Sequence, residues 1–151
     1  MKLVKLGLIS IVAFGLLFSG LSLLFPSRVR VSRAIDISGS ADQVLSRLRD
    51  TASWAQWYPV PPGSKGFPVL QRVTDSSVVA SFRQDNGRTG TAVFVVYPAS
   101  VAGLTTLHWY IDFRMRWYPW EKFSALLLER RYGPMMESAL GRFKANTLGQ
   151  P

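Results

Sequence analysis

VSRAIDISGSADQVLSRLRD, residues 31–50, places a strand directly before a helix. Apolar and polar residues alternate from Val29 to Ile37, and this period of two predicts a half-buried strand. Ser40 and Gln43 have the spacing of a capping box at a helix start. Val44, Leu45 and Leu48 then recur at helical spacing. We therefore predict a first strand over Val29 to Ile37 and a first helix from about Ala41 to Arg49.

A second short helical turn carries two tryptophans. Trp54 and Trp57 are three residues apart, which puts them on one helical face. The next segment, Tyr58 to Pro68, contains four prolines and two glycines. Because these residues interrupt regular structure, we expect a loop there, flanking an opening.

The middle of the chain predicts an antiparallel meander. Asp85, Asn86 and Gly87 supply a tight hairpin turn, since Asn and Gly tolerate positive φ. A further turn spans Pro98 to Gly103. The predicted strands are Val69 to Thr74, Val78 to Arg83, Thr89 to Tyr97 and Leu104 to Trp117. In the last of them one face is apolar, with Leu107, Trp109, Ile111, Phe113, Met115 and Trp117. The other face is polar, with Thr106, His108, Tyr110, Asp112, Arg114 and Arg116.

The C-terminal part is predicted to be helical with a break at Gly133-Pro134. Trp120, Phe123 and Leu127 form one stripe before the break. Met136, Ala139, Leu140 and Phe143 form another after it. One long helix against one face of a curved antiparallel sheet is an α+β, two-layer arrangement.

The N-terminal segment predicts a membrane helix. Leu6 to Phe25 is an uncharged run of twenty residues, which at about 1.5 Å per residue spans the roughly 30 Å hydrocarbon layer. A cleaved signal and a buried helix of a soluble protein are the alternatives. The run is longer than the about 7 to 15 residues of a signal, and Ser19 and Leu21 make no small-x-small cleavage site. Lys2 and Lys5 nearly balance the arginines that follow, so the positive-inside rule assigns no orientation.

These patterns divide the chain into an anchor at 1–27, one domain at 28–147 and a tail at 148–151. The chain has 18 basic and 9 acidic residues, and without Lys2 and Lys5 the remainder still carries a net charge of +7. Such a domain beside a membrane is expected to attract anionic lipid headgroups. Nucleic acid is not expected as a partner, because the arginines are scattered and no nucleic-acid-binding motif is present. The absence of cysteine excludes a disulfide framework and leaves the redox compartment open.

The domain after Arg28 resembles the START-like, or Bet v 1-like, superfamily, also called SRPBCC or polyketide cyclase/dehydrase. The resemblance lies in Val31 to Asp50, in W-x-x-W-Y-P at Trp54 to Pro59, and in GPMMESALGRFK at Gly133 to Lys144. It implies a helix-grip fold, in which a bent sheet holds a long C-terminal helix over an apolar cavity. It also implies a single-pass protein of the bacterial inner membrane, because some bacterial members carry one N-terminal membrane helix.

The chain departs from fuller members, which have two more strands between the W-x-x-W turn and the meander. The short Tyr58 to Pro68 loop stands in their place. We therefore expect a shortened helix-grip fold whose cavity is small, open on one side, or filled by its own side chains.

The residues offer no catalytic centre. His108, the single histidine, lies four residues from Asp112 on one strand face, which is roughly 13 Å and too far for a hydrogen bond. No cluster has the spacing of a metal site, and no cofactor motif is present. Catalytic residues, metal and cofactor are therefore predicted to be none, and an enzyme is the least favoured of the functions considered.

The aromatic residues are the candidates for binding, since such groups line apolar pockets as well as cores. Arg33, in the apolar phase of the first strand, is a candidate polar anchor for an anionic group or else a solvated arginine near the strand start. The candidate cavity-lining residues are Trp54, Trp57, Phe94, Trp109, Phe113, Met136 and Leu140.

We expect a membrane-anchored START-like domain that binds a small apolar or lipid-like molecule. The alternatives are a membrane-surface interaction or scaffold module with a filled cavity, and, third, a cyclase/hydratase-type enzyme. Trp117 to Trp120, beside Arg114, Arg116 and Lys122, suits the membrane interface. Ligand identity, orientation and oligomeric state do not follow from the sequence.

Overall fold

The computed structural model describes residues 2–24, 27–85, 87–99, 101, 103–116 and 118–148. The chain divides into two compact units. One comprises Met1–Val29 and Arg114–Leu127, and the other comprises Arg30–Phe113 and Leu128–Pro151.

Five strands form one sheet with the order β1-β5-β4-β3-β2. The pairs β2–β3, β3–β4 and β4–β5 are antiparallel. The helices are α1 (Lys2–Leu24), α2 (Ala41–Arg49), α3 (Trp54–Trp57), α4 (Pro119–Ser124) and α5 (Leu128–Leu148). The strands are β1 (Arg28–Ser38), β2 (Val69–Val73), β3 (Ser77–Arg83), β4 (Thr89–Pro98) and β5 (Leu104–Arg114). The α+β architecture predicted from the element order is confirmed.

Helix α2 begins and ends where the sequence predicted. The Ser40 side chain accepts a hydrogen bond from the backbone N–H of Gln43, and the Gln43 side chain accepts one from the backbone N–H of Ser40. This reciprocal pair satisfies two donors that a helix start leaves free. Val44, Leu45 and Leu48 are all buried, so the capping box sets where α2 starts and these three side chains form its core-facing side.

Strand β5 shows the predicted alternation but is shorter than expected. Leu107, Trp109, Ile111 and Phe113 are buried, and the intervening Thr106, His108, Tyr110 and Asp112 are half-buried. The strand ends at Arg114 rather than at Trp117. The backbone N–H of Met115 donates to the carbonyl of Ser27, just before β1 begins. Since β1 is the neighbour of β5, the ladder cannot extend past the start of β1. Trp117 lies outside the described residues, as does Asn86 of the predicted hairpin turn.

The predicted break at Gly133-Pro134 is wrong, because α5 runs without interruption from Leu128 to Leu148. A proline inside a helix costs about 3 kcal/mol or more. Contacts on both sides of the proline hold the helix together: Tyr132 and Met136 are both buried. Tertiary packing therefore overrides the local preference.

Arg33 lies over the glycine of this pair. Its Nη2 is 2.6 Å from Glu129 Oε1, and its Nε is 2.6 Å from Glu137 Oε1. Glu129 and Glu137 lie one turn before and one turn after Gly133, and a Cβ added to Gly133 would collide with the Arg33 guanidinium. Absence of a side chain at 133 thus lets one arginine bridge two turns of α5.

In the other unit, α1 is exposed along its length except at Ser22. It is the one helix in the described part of the chain that is long and apolar enough to span a membrane. An apolar groove of about 330 Å³ runs along its surface, lined by Leu8, Ile9, Val12, Ala13 and Leu16. None of the residues that line this groove is among the residues predicted to line a cavity.

The end of α1 is tied to α4 by a buried lysine. Lys122 Nζ donates to the Ser22 carbonyl at 2.7 Å, and Lys122 is only 4% exposed. Carbonyls in the last turn of a helix lack partners within the helix, and a cation is favourable there. The Lys122 ammonium is therefore buried against α1, whereas the sequence suggested a cation on the surface.

The two faces of β5 predict different mutational costs. Trp109→Ala and Phe113→Ala should each lower the free energy of unfolding by about 3 to 5 kcal/mol, because both rings are buried. His108→Ala, on the other face, should change it by about 0.5 kcal/mol or less. Urea denaturation of the full chain in mild detergent, followed by far-ultraviolet circular dichroism, measures both. Equal costs on the two faces would contradict the alternation.

The Arg33 pairs predict a modest coupling energy. A double-mutant cycle of Arg33→Gln and Glu137→Gln should give about 0.3 to 1 kcal/mol, because these side chains are 27% and 63% exposed and water screens them. The same denaturation experiment measures it. Added salt should reduce the coupling; a coupling that is zero at low salt would rule out the pair.

Candidate functional site

The site predicted from the aromatic residues is a contiguous cluster of rings. Trp57 lies 4.8 Å from Phe143, Tyr58 lies 5.1 Å from Trp109, and Trp109 lies 5.1 Å from Phe94, between ring centroids. We call the ring cluster the six residues Trp54, Trp57, Tyr58, Phe94, Trp109 and Phe143. Its members come from α3 and the residue after it, from β4 and β5, and from α5. All six are at most 2% exposed.

The structure brings together four of the seven predicted lining residues in this cluster: Trp54, Trp57, Phe94 and Trp109. Phe113 instead contacts Tyr132 of α5, with 4.7 Å between ring centroids. Met136 and Leu140 are buried on α5, on the same face as Phe143. The chain thus places all seven in the interior.

Sequence reasoning missed two residues of the site. Tyr58 was assigned to a proline-rich loop, yet it is 1% exposed and stacks on Trp54 at 5.5 Å. Phe143 was assigned to a core stripe and not to the site. The signal that could have found Tyr58 is its position directly after W-x-x-W, which makes it the third aromatic residue within five positions.

The polar edges of the cluster differ in how they are satisfied. Trp54 Nε1 donates to the Leu48 carbonyl at 3.0 Å. Trp57 Nε1, Tyr58 Oη and Trp109 Nε1 are buried and have no hydrogen-bond partner among the residues that the structure describes. Buried tryptophan and tyrosine usually find a partner, and leaving a buried donor unpaired costs about 1 to 3 kcal/mol. Three such groups on neighbouring rings therefore lower the stability of the folded protein.

Tyr58 is a neutral phenol. Burial, with a smaller contribution from nearby Tyr132, raises the pKa of Tyr58 far above its ordinary value. Burial also raises the pKa of Tyr132, and the Gln84 hydrogen bond opposes that shift. Both hydroxyls keep their protons at physiological pH, so each can donate a hydrogen bond.

The loop expected to flank an opening is held on several sides. Tyr132 Oη donates to the Pro62 carbonyl at 2.9 Å. The backbone N–H of Lys65 donates to the Arg83 carbonyl at 2.8 Å, and that of Asp85 donates to the Gly63 carbonyl at 2.8 Å. The loop therefore lies against β3 and α5, and it begins at Tyr58.

Arg33 does not lie free in solvent near the strand start. Its guanidinium bonds two carboxylates of α5, those of Glu129 and Glu137, and these hydrogen bonds raise the pKa of Arg33. An anionic ligand at this position would have to displace both glutamates.

The polar face of β5 is likewise occupied. Arg30 Nε and Nη2 donate to the two oxygens of Asp112 at 2.7 and 2.9 Å, and the guanidinium lies 3.9 Å above the Tyr110 ring. The hydrogen bond that Arg30 donates to Asp112 is the main reason that the pKa of Arg30 is raised. Asp112 is thus held by Arg30, while the ring of His108 lies 5.8 Å from that of Tyr110 between centroids.

The structure describes part of the segment Trp117 to Trp120, which the sequence suggested would suit the membrane interface. Trp120 is 67% exposed and stacks on Tyr118 at 4.9 Å between centroids. Arg114 and Arg116 are exposed. These side chains belong to the same compact unit as α1.

No protein-family model matches the sequence, and no curated protein matches it. Solved structures do resemble it. A START superfamily protein from Mycobacterium smegmatis is 14% identical, with a TM-score of 0.58, covering 79% of this chain and 97% of that one. The protein XoxI from Bacillus cereus is 14% identical, with a TM-score of 0.55, covering 80% and 96%.

The Zhui aromatase/cyclase from Streptomyces sp. R1128 is also 14% identical, with a TM-score of 0.50, covering 80% of this chain and 94% of that one. At these identities the likeness concerns the fold alone. The sheet and the long C-terminal helix of this chain form a START-like helix-grip fold.

Proposed function

We propose that this chain is a membrane-tethered START-like domain that binds a small apolar or lipid-like molecule at the ring cluster. The helix-grip fold supports the proposal, because its sheet and long helix bring distant aromatic side chains together. The solved structures that share the fold include a START superfamily protein and an aromatase/cyclase.

The observation that carries the proposal is the choice of residues in the cluster. A core that only fills space is best built from side chains without polar atoms, and Trp and Tyr suit it only where their N–H or O–H reaches a partner. Trp57, Tyr58 and Trp109 are buried without partners in the described residues. A bound molecule would offset that cost, whereas a permanently filled core would retain it.

Helix α1 (Lys2–Leu24) supplies the proposed tether. The predicted span runs from Leu6 to Phe25, and Phe25 lies outside the described residues. Its apolar side chains are exposed: Leu8, Phe14 and Leu17 are 59%, 67% and 59% accessible. A helix with this surface is stable in hydrocarbon, where its backbone groups are paired internally. We place the protein in a membrane as a single-pass protein, and propose the inner membrane of a bacterium.

A membrane-surface scaffold with a filled cavity is the second candidate. The contacts within the ring cluster favour it, since centroids 4.8 to 6.1 Å apart are ordinary aromatic packing. The exposed Trp120 and the neighbouring arginines favour contact with anionic headgroups. A cyclase/hydratase-type enzyme is the third, and nothing among the described contacts pairs a general acid with a general base.

If the domain binds a ligand, a larger side chain at the site should block binding without a large loss of stability. An apolar fluorescent probe should bind the full chain in nanodiscs at one per protein above the background of empty nanodiscs. Leu140→Trp should abolish that binding and lower the free energy of unfolding by less than about 1 kcal/mol, because a site that accepts a ligand accepts the indole. In a filled core the same change should cost about 1 to 3 kcal/mol.

Ala145→Trp, on the exposed side of α5, is the matched control and should leave probe binding intact. Mass spectrometry of small molecules that copurify with the full chain gives an independent measure. Destabilisation by Leu140→Trp together with no probe binding to the wild type would favour the scaffold.

The tether predicts behaviour in membrane fractionation. The full chain should stay with membranes through alkaline carbonate washing. Gly15→Arg combined with Leu16→Arg should release it, because each arginine at the middle of a membrane helix costs about 2.5 to 3.5 kcal/mol. Leu70→Arg, in the sheet, is the control and should not release it. A mature N terminus between Ser19 and Val29 would show a cleaved signal and contradict the tether.

A further inference from the structure

We propose that the ring cluster selects a neutral apolar molecule carrying an oxygen that accepts hydrogen bonds, such as a ring ketone, held by Trp57, Trp109 and Tyr58. This rests on the proposed ligand-binding function and adds the chemical class of the ligand. It follows from which atoms of the cluster lack partners and from what those atoms can do.

Two of the three unpartnered groups can only donate. The indole Nε1–H of Trp57 and of Trp109 has no acceptor capacity. The Tyr58 hydroxyl can do both, and burial keeps it protonated. The site therefore offers two obligatory donors and one optional donor, all in neutral form. A ligand oxygen complements that set, whereas an ammonium or amide N–H would meet donors.

The three groups belong to adjacent rings. The Tyr58 ring is adjacent to both tryptophans, with its centroid 5.4 Å from that of Trp57 and 5.1 Å from that of Trp109. Apolar rings complete the surroundings, with Phe94 at 5.8 Å from Trp57 and 5.1 Å from Trp109. The rest of the ligand is therefore expected to be apolar.

The same region contains polar edges that the protein does satisfy. Trp54 Nε1 donates to the Leu48 carbonyl, and Tyr132 Oη donates to the Pro62 carbonyl. Backbone acceptors are thus within reach of this part of the fold. The three unpartnered polar groups differ in this respect from their satisfied neighbours, and an acceptor atom of a ligand would supply what they lack.

The test compares two probes that differ at one position, where one has a carbonyl group and the other a methylene group. The full chain in nanodiscs is titrated with fluorenone, a ring ketone, and with fluorene, the matching hydrocarbon, each corrected for partition into empty nanodiscs. We expect fluorenone to bind about three- to tenfold more tightly, the equivalent of one hydrogen bond. Its carbonyl stretching band should move to lower wavenumber when bound.

Tyr58→Phe supplies a second readout that a purely structural residue would not give. It should weaken fluorenone binding about threefold or more, leave fluorene binding within about twofold, and reverse part of the carbonyl shift. It should also raise the melting temperature of the unliganded protein by about 2 to 5 °C, because a buried unpaired hydroxyl is removed. Tyr110→Phe, on the opposite face of β5, is the control and should change none of these.

The outcomes separate this inference from the function on which it rests. Equal binding of both probes, or a ketone preference that Tyr58→Phe leaves unchanged, would overturn the acceptor site and leave apolar binding standing. A fall in melting temperature with Tyr58→Phe would show that the hydroxyl has a partner and would also overturn it. Binding of neither probe would overturn both proposals.

Discussion

Burial of aromatic rings between the sheet and α5 is the interaction on which the rest of the molecule depends. Trp109 on β5 and Phe94 on β4 contribute rings that are 0% exposed. Trp57 meets Phe143 of α5, so the short helix α3 is packed between sheet and long helix. Side chains of this size bury 150–250 Å² each and dominate the energetics of small cores. This contact requires β4 and β5 to be neighbours in the sheet, α3 to pack beside them, and α5 to continue past Pro134.

The sequence predicted the helices and strands that are specified by residues close together in the chain. Alternation gave β5 and its buried face, and the Ser40–Gln43 capping box gave the start of α2. Each of these depends on residues within a few positions of one another, so a single sequence contains the whole signal. The rings of Trp54, Trp57, Phe94 and Trp109 contact one another for a similar reason, since they lie on buried faces of neighbouring elements.

What the sequence could not predict depends on partners far away in the chain. Gly133-Pro134 reads as a helix break, yet Arg33 from the opposite end of the domain bonds both adjoining turns. Tyr58 reads as loop, yet rings from α3 and β5 enclose it. Lys122 reads as a surface cation, yet a carbonyl at the end of α1 accepts from it. In each case a long-range contact outweighs a local preference of a few kcal/mol.

The same contacts explain how a strongly basic chain distributes its charge. Within the sheet unit, Arg30 and Arg33 are neutralised by Asp112, Glu129 and Glu137. In the α1 unit, Lys122 is buried against a helix carbonyl, and Arg114 and Arg116 are exposed. Exposed cations are found in both units, among them Arg72, Arg83 and Arg142 in the sheet unit. Anionic headgroups attract such cations at about 1 kcal/mol each when they are close to the membrane surface. The ring cluster, by contrast, consists of uncharged side chains, and three of them carry a buried polar group without a partner among the described residues.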